Sequence, residues 1–228
     1  MQPRTLAIFV IILPLLASNG AYLQSAFDGL TPWCMPYIDG CTSISRAGRS
    51  GDSIFLYRAL VMTYSVFLML FWIYSKNWLE LLHGHTTKMA RTIFWLGLTG
   101  AFALLIYIDF LGTEGEFNRF MRRTGAMLYF TLTPLAQFLL LNQHYNILHN
   151  KLAVSIKPKV LQYQLIISLL MLMIAAISIF LVLTNNKTYA SENIVEWNFS
   201  LLLNLYFLGM VFIWKDHRHV FTIGAAKN

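Results

Sequence analysis

Charge is what this sequence has least of: Asp, Glu, Lys and Arg make up 12% of its 228 residues, about half of the roughly 25% usual in a soluble domain. Together with 57% apolar residues, that shortage excludes an ordinary water-soluble globule. Cysteine is nearly absent too. Two residues, Cys34 and Cys41, can build neither a four-cysteine zinc site nor a disulfide-dense secreted scaffold. No G-x-S-x-G elbow, Walker loop, H-E-x-x-H or helical H-x-x-x-H pair occurs, so the sequence marks of α/β-hydrolases, P-loop enzymes and zinc proteases are missing. No metal and no cofactor is expected.

What is present is a series of long runs without charge. A spanning helix needs about 20 apolar residues, and six such stretches can be drawn, at about 5–23, 54–74, 92–111, 125–142, 161–184 and 197–214. They predict an all-α polytopic membrane protein, a six-helix transmembrane bundle forming one domain over 1–228. The first stretch also resembles a cleavable signal peptide, with Arg4 ahead of an apolar run and small residues from Ala17 to Ala21. Its continuation to Phe27 and its interruption by Pro14 favour a retained span.

The net charge of +7 is distributed by topology. If the amino terminus is inside, the inner segments hold ten bases (Arg4, Lys76, Lys88, Arg91, Lys151, Lys157, Lys159, Lys215, Arg218 and Lys227) against Glu80 and Asp216. The outer segments are nearly balanced. This positive-inside pattern places both termini in the cytoplasm and removes any need for a nucleic-acid partner. Membrane lipids are the expected partners; the pattern does not address oligomeric state.

The first outer loop, about 24–53, is the longest and contains Pro32, Pro36 and several glycines. Its length predicts that it packs back onto the helices. Cys34 and Cys41 both fall in it, where an oxidising compartment permits a disulfide; paired and unpaired states both remain open. Asp52 or Ser53 is positioned to cap the second span. Gly97, Gly100, Ala101 and Ala103 give the third span a small-residue face for close helix approach. Trp33, Tyr37, Trp72, Tyr74, Trp78, Trp95, Tyr145 and Trp214 lie near span ends and read as interfacial belts. All six histidines, His83, His85, His144, His149, His217 and His219, fall on the inner side and read as interfacial residues.

Two spans contain an ionisable residue: Arg58 near the start of the second and Asp109 near the end of the third. Charge at membrane depth is costly and needs a reason. Glu196, early in the sixth span, lies at similar depth, so the three read as a polar cluster, either a structural ion pair or triad or the frame of a lipid site. Ser45, Arg46 and Arg49 from the first loop, with Arg119, Arg122 and Arg123, would add donors for a lipid head group. Two alternatives stand beside lipid binding. One is a lipid acyltransferase or hydrolase with Asp109 or Glu196 as base and Ser45 as nucleophile. The other is a small transporter, against which the uncharged middle of the membrane argues.

Ser43, Ile44, Ser45, Ala47 and Gly48, followed by Phe55 and Arg58, resemble the Ile-Ser-x-x-Gly and Phe-Arg signature of the Frag/DRAM/Sfk membrane proteins. Glu196 followed by Trp197 resembles the acidic-aromatic pair that opens the last span in that family. The resemblance covers nearly the whole chain and implies six spans, inner termini and a role in lipid handling or remodelling. Its members include the damage-regulated autophagy modulators and a factor in lipid remodelling of glycosylphosphatidylinositol anchors. It supplies no catalytic residue.

Overall fold

The computed structural model describes residues 2–150 and 156–215. Among these residues there are eight helices and no strand: α1 (Pro3–Phe27), α2 (Pro36–Asp39), α3 (Ile44–Ala47), α4 (Ser53–His83), α5 (Lys88–Asp109), α6 (Glu116–His149), α7 (Pro158–Leu183) and α8 (Tyr189–Ile213). Six of them are long and apolar enough to cross a membrane, each overlapping an expected stretch. The protein is therefore a multi-pass integral membrane protein with an all-α, six-helix bundle. Lys151, Asp216, His217, Arg218, His219 and Lys227 lie outside the described residues.

Consecutive long helices pack side by side and α8 closes against α1. One end of the bundle, called here the disulfide end, carries the α1–α4, α5–α6 and α7–α8 connections. The α4–α5 and α6–α7 connections lie at the opposite end. Several helices run well past the charge-free stretches: α4 continues to His83, α6 starts at Glu116, and α8 starts at Tyr189. Charge content sets the expected membrane limits, whereas backbone hydrogen bonding carries a helix on into water.

Close helix approach is built from small residues, as expected for packing within lipid. Gly97 on α5 receives the face of the Trp72 indole from α4, with no room for a Cβ. Gly125 on α6 goes further and meets the α5 main chain, where an added Cβ would fall 2.7 Å from both Ala103 O and Tyr107 N. Backbone cannot yield as a side-chain tip can. Gly125→Val is expected to destabilise the bundle by about 1–3 kcal/mol through overpacking, read as a lower midpoint of thermal unfolding in detergent.

The aromatic-belt reading requires correction. Trp72, Trp78 and Trp214 are buried, and so is Tyr74. They pack with Phe71 and Phe207 in an internal cluster, with Phe71–Trp214 at 5.1 Å, Tyr74–Trp214 at 4.9 Å and Phe71–Phe207 at 4.8 Å between ring centroids. Proximity to a span end says nothing about which side of the helix a residue occupies. Trp33 and Trp95 do remain exposed. His144 is likewise buried, edge-on to Trp78 at 5.1 Å, rather than interfacial. The capping expectation also fails, because the Asp52 side chain makes no cap bond and Ser53 Oγ donates to Ala47 O and Ser50 O, both at 2.6 Å.

The first connection does pack back onto the helices. Cys34 and Cys41 form a disulfide within it. Three side chains of α8 then take its carbonyls: Asn193 Nδ2 donates to Gly40 O at 2.7 Å, Trp197 Nε1 to Thr42 O at 2.8 Å, and Asn198 Nδ2 to Tyr37 O at 2.8 Å. Tyr37 donates to Asn19 Oδ1 of α1 at 3.1 Å. Burial pushes the Tyr37 phenol above its usual pKa, and the Asn19 hydrogen bond opposes that shift. Its proton thus stays in place at neutral pH.

Candidate functional site

A cavity of about 450 Å³ opens at the disulfide end among α1, α3, α4, α5, α6 and α8. Helical spacing explains its lining. Tyr57, Val61 and Tyr64 form one stripe of α4, and Arg122, Ala126 and Tyr129 one stripe of α6. Leu104 and Tyr107 come from α5, Glu196 and Ser200 from α8, and Pro14 and Ser18 from α1. Arg49, Ile44 and Ser45 come from the first connection. Polarity is graded with depth. Three arginines (Arg49, Arg122 and Arg123) and Glu196 stand toward the disulfide end. Tyrosine hydroxyls and apolar side chains lie below, where Tyr64 and Tyr129 hydroxyls meet at 3.0 Å.

Glu196 has a defined partner. Its Oε1 accepts from Ser45 N at 3.3 Å, while Ser43 Oγ accepts from Arg46 N at 3.1 Å, so both acceptors satisfy free amides at the start of α3. Trp197, the next residue, holds Thr42 O from the other side and packs edge-on against Tyr22 and Tyr37. Gly48 allows the same segment to lie on the Tyr57 ring, where a Cβ would come within 2.7 Å of ring carbons. The segments 43–48 and 196–197, about 150 residues apart in sequence, thus meet at one place.

The expected cluster of Arg58, Asp109 and Glu196 is not assembled. Arg58 Nη2 instead donates to the main-chain carbonyls of Leu111 and, at 3.4 Å, Asp109, at the C-terminal end of α5. Free carbonyls and the negative end of the helix dipole gather there, which gives the half-buried cation a partner for Nη2, while its Nε is left without one. The Asp109 side chain is exposed, and neither residue lines the cavity. Sequence depth placed three residues at one level but could not give their direction around the helices. Arg58→Leu is expected to cost about 1.5–3 kcal/mol, the worth of hydrogen bonds to a charged donor. Thermal unfolding measures the loss; lipid retained per protein stays at the wild-type level.

Ser45, Arg49 and Glu196 do share the cavity, and Arg46 lies just outside it in two neighbouring clefts. The Ser45 hydroxyl lies 3.3 Å from Ser43 Oγ, and it is the Ser45 amide that meets Glu196. A serine–carboxylate nucleophile pair is therefore not in place. Sequence reading placed Arg119, Arg122 and Arg123 beside the site but gave no sign of the four tyrosines. The spacing of seven between Tyr57 and Tyr64 on α4, and between Arg122 and Tyr129 on α6, was the available signal.

Among the described residues the arginines form no ion pair. The ion pairs that form among the described residues are Lys76–Glu80, at 3.3 Å, and Lys187–Glu192, and neither includes them. Arg49, Arg119 and Arg123 lie within electrostatic range of Arg122. Such a cationic group in and around a cavity is suited to anions, most of all to phosphate or carboxylate oxygens.

The site also has a side opening. Arg49, Arg123, Phe130 and Glu196 line a second, wider cleft continued by Ser178 of α7 and by Asn193 and Phe199 of α8. It exists because α7 parts from the bundle. The residues of α7 that are buried, Leu161, Gln164, Ile167, Ser168 and Met171, all lie in the half toward the opposite end. Beyond Met171, Ile177, Ile179, Phe180, Val182 and Leu183 are exposed. The cleft, whose rim also carries Lys187 and Glu192, thus reaches the arginines past the end of α7. Among the described residues no group of three or more potential metal ligands occurs. The chain matches no family model, no curated protein and no solved structure.

Proposed function

We propose that the cavity holds the anionic head group of a membrane lipid, taken in sideways through the opening between α6 and α7. The observation that carries this reading is the graded lining: arginines free of ion pairs at the mouth, and tyrosine hydroxyls and apolar walls together below them. An amphiphile with a phosphate-bearing head matches that gradient, because a guanidinium binds phosphate through paired donors and the walls accept chain. On the positive-inside orientation the disulfide end is outside, so the lipid comes from the outer leaflet. The disulfide agrees with that side. Membership of the Frag/DRAM/Sfk proteins, which is part of this proposal, would agree with lipid handling, and the motif residues Ile44, Ser45 and Glu196 line the cavity.

The reading describes a binding or organising protein. The test is to purify the full chain in mild detergent and count bound lipid by native mass spectrometry. One retained anionic phospholipid per protein is the expected result. Release of every lipid on mild activation, with no preference for anionic over zwitterionic species, would refute it.

A further inference from the structure

Next to the cavity mouth lies a separate cleft of about 640 Å³, lined by Arg46, Arg49, Arg119 and Arg122 together with Ser50, Gly112, Thr113, Glu114 and Gly115. Four guanidiniums face one carboxylate there. The α5–α6 turn forms one wall, bent by Gly112 at φ 80° and Gly115 at φ 104°, a backbone region that favours glycine. Helix α6, 34 residues long, begins in this wall with no side-chain cap and with Glu116 in its first turn. Arg49 and Arg122 line both the cleft and the cavity. The two chambers therefore share a wall of guanidiniums, and an anion in one lies beside an anion in the other.

We propose that the cleft is a second anion chamber and that the ligand carries two phosphate groups: one held at the cavity mouth by Arg49, Arg122 and Arg123, the other in the cleft by Arg46 and Arg119. This rests on the reading of the cavity as a lipid site. A single phosphate between Arg49 and Arg122 would leave Arg46 and Arg119 with Glu114 as the one carboxylate of the cleft. A second phosphate supplies the negative charge that Glu114 alone does not balance. A diphosphate head on a lipid and free inorganic pyrophosphate share this chemistry; the continuous path to the apolar cavity favours the lipid.

The experiment uses the full chain in phosphatidylcholine nanodiscs doped with phosphatidic acid or with diacylglycerol pyrophosphate, which have the same tails and differ by one phosphate. Binding is measured by native mass spectrometry. Diacylglycerol pyrophosphate is expected to bind at least about tenfold more tightly, the effect of one further well-placed charged contact. Arg119→Gln brings the two lipids to within about twofold of each other, and Arg123→Gln weakens both. Thermal unfolding confirms that each variant is folded. Equal binding of the two lipids by the wild type, or a preference untouched by Arg119→Gln, overturns the second chamber while the cavity reading stands. Failure of either lipid to exceed phosphatidylcholine overturns the cavity reading itself. Inorganic pyrophosphate binding as tightly as the lipid diphosphate would overturn the lipid as its source.

Discussion

Arg49→Gln combined with Arg122→Gln is expected to strip anionic lipid from the purified protein, lowering affinity on the order of 100-fold, with each single change lowering it about tenfold. The magnitude follows from hydrogen bonds to charged groups, worth about 1.5–3 kcal/mol each, where 1.4 kcal/mol is tenfold in binding. Both residues line the cavity and the adjoining cleft, so their joint loss removes the shared wall. Glutamine keeps a polar side chain of similar reach but no charge. The single effects are expected to shrink as salt rises, Arg49 more than Arg122, because Arg49 is exposed and Arg122 only partly so. Folding is expected to survive, since relieving a group of like charges does not weaken the bundle. A double variant that keeps its lipid content and melts as the wild type does would remove the arginines from the site.

The second large effect concerns the fastening of the first connection. Trp197 is buried, donates to Thr42 O, and lies against Tyr22 and Tyr37. Trp197→Ala is expected to destabilise by about 3–5 kcal/mol, the usual range for a large aromatic residue removed from a core, and to loosen the segment that carries Ser45 and Arg49. Reducing the disulfide between Cys34 and Cys41 is the informative contrast. It closes a short loop, with a sequence separation of 7, for which chain entropy gives about 2–3 kcal/mol. It leaves the α8 hydrogen bonds in place. Unfolding midpoints should therefore rank wild type above the reduced protein and the reduced protein above Trp197→Ala, and protease cleavage within 28–43 should rise in the same order. A reduced protein less stable than Trp197→Ala would assign the fastening to the disulfide instead.

The six spans are legible in the sequence because backbone polar groups in lipid must be satisfied within each segment, so length and charge content suffice to mark them. The packing of the first connection was legible from its length, and the small-residue face of α5 from Gly97 and Gly100. The site was only partly legible. Arg49, Ser45 and Glu196 were placed in it by depth and motif, and they do line one cavity. Arg58 and Asp109 were placed with them by the same depth argument, but depth is one coordinate of two. The other, rotation about the helix, turns Arg58 to the α5 carbonyls and leaves the Asp109 side chain exposed. Trp72 and Trp214 show the same limit: span-end residues by position, core residues by direction. The opening beside α7 was hidden for a different reason. That helix is the most apolar of the six, and an evenly apolar helix gives no sign of where it leaves its neighbours.

Electron cryo-microscopy of the wild-type chain in phosphatidylcholine nanodiscs containing an anionic phospholipid tests lipid capture most directly. The expected map has head-group density within hydrogen-bonding distance of Arg122 and Arg49, with an acyl chain leaving between Phe130 of α6 and Ser178 of α7. A map in which the cavity holds only water, while lipid is ordered elsewhere around the bundle, would contradict it.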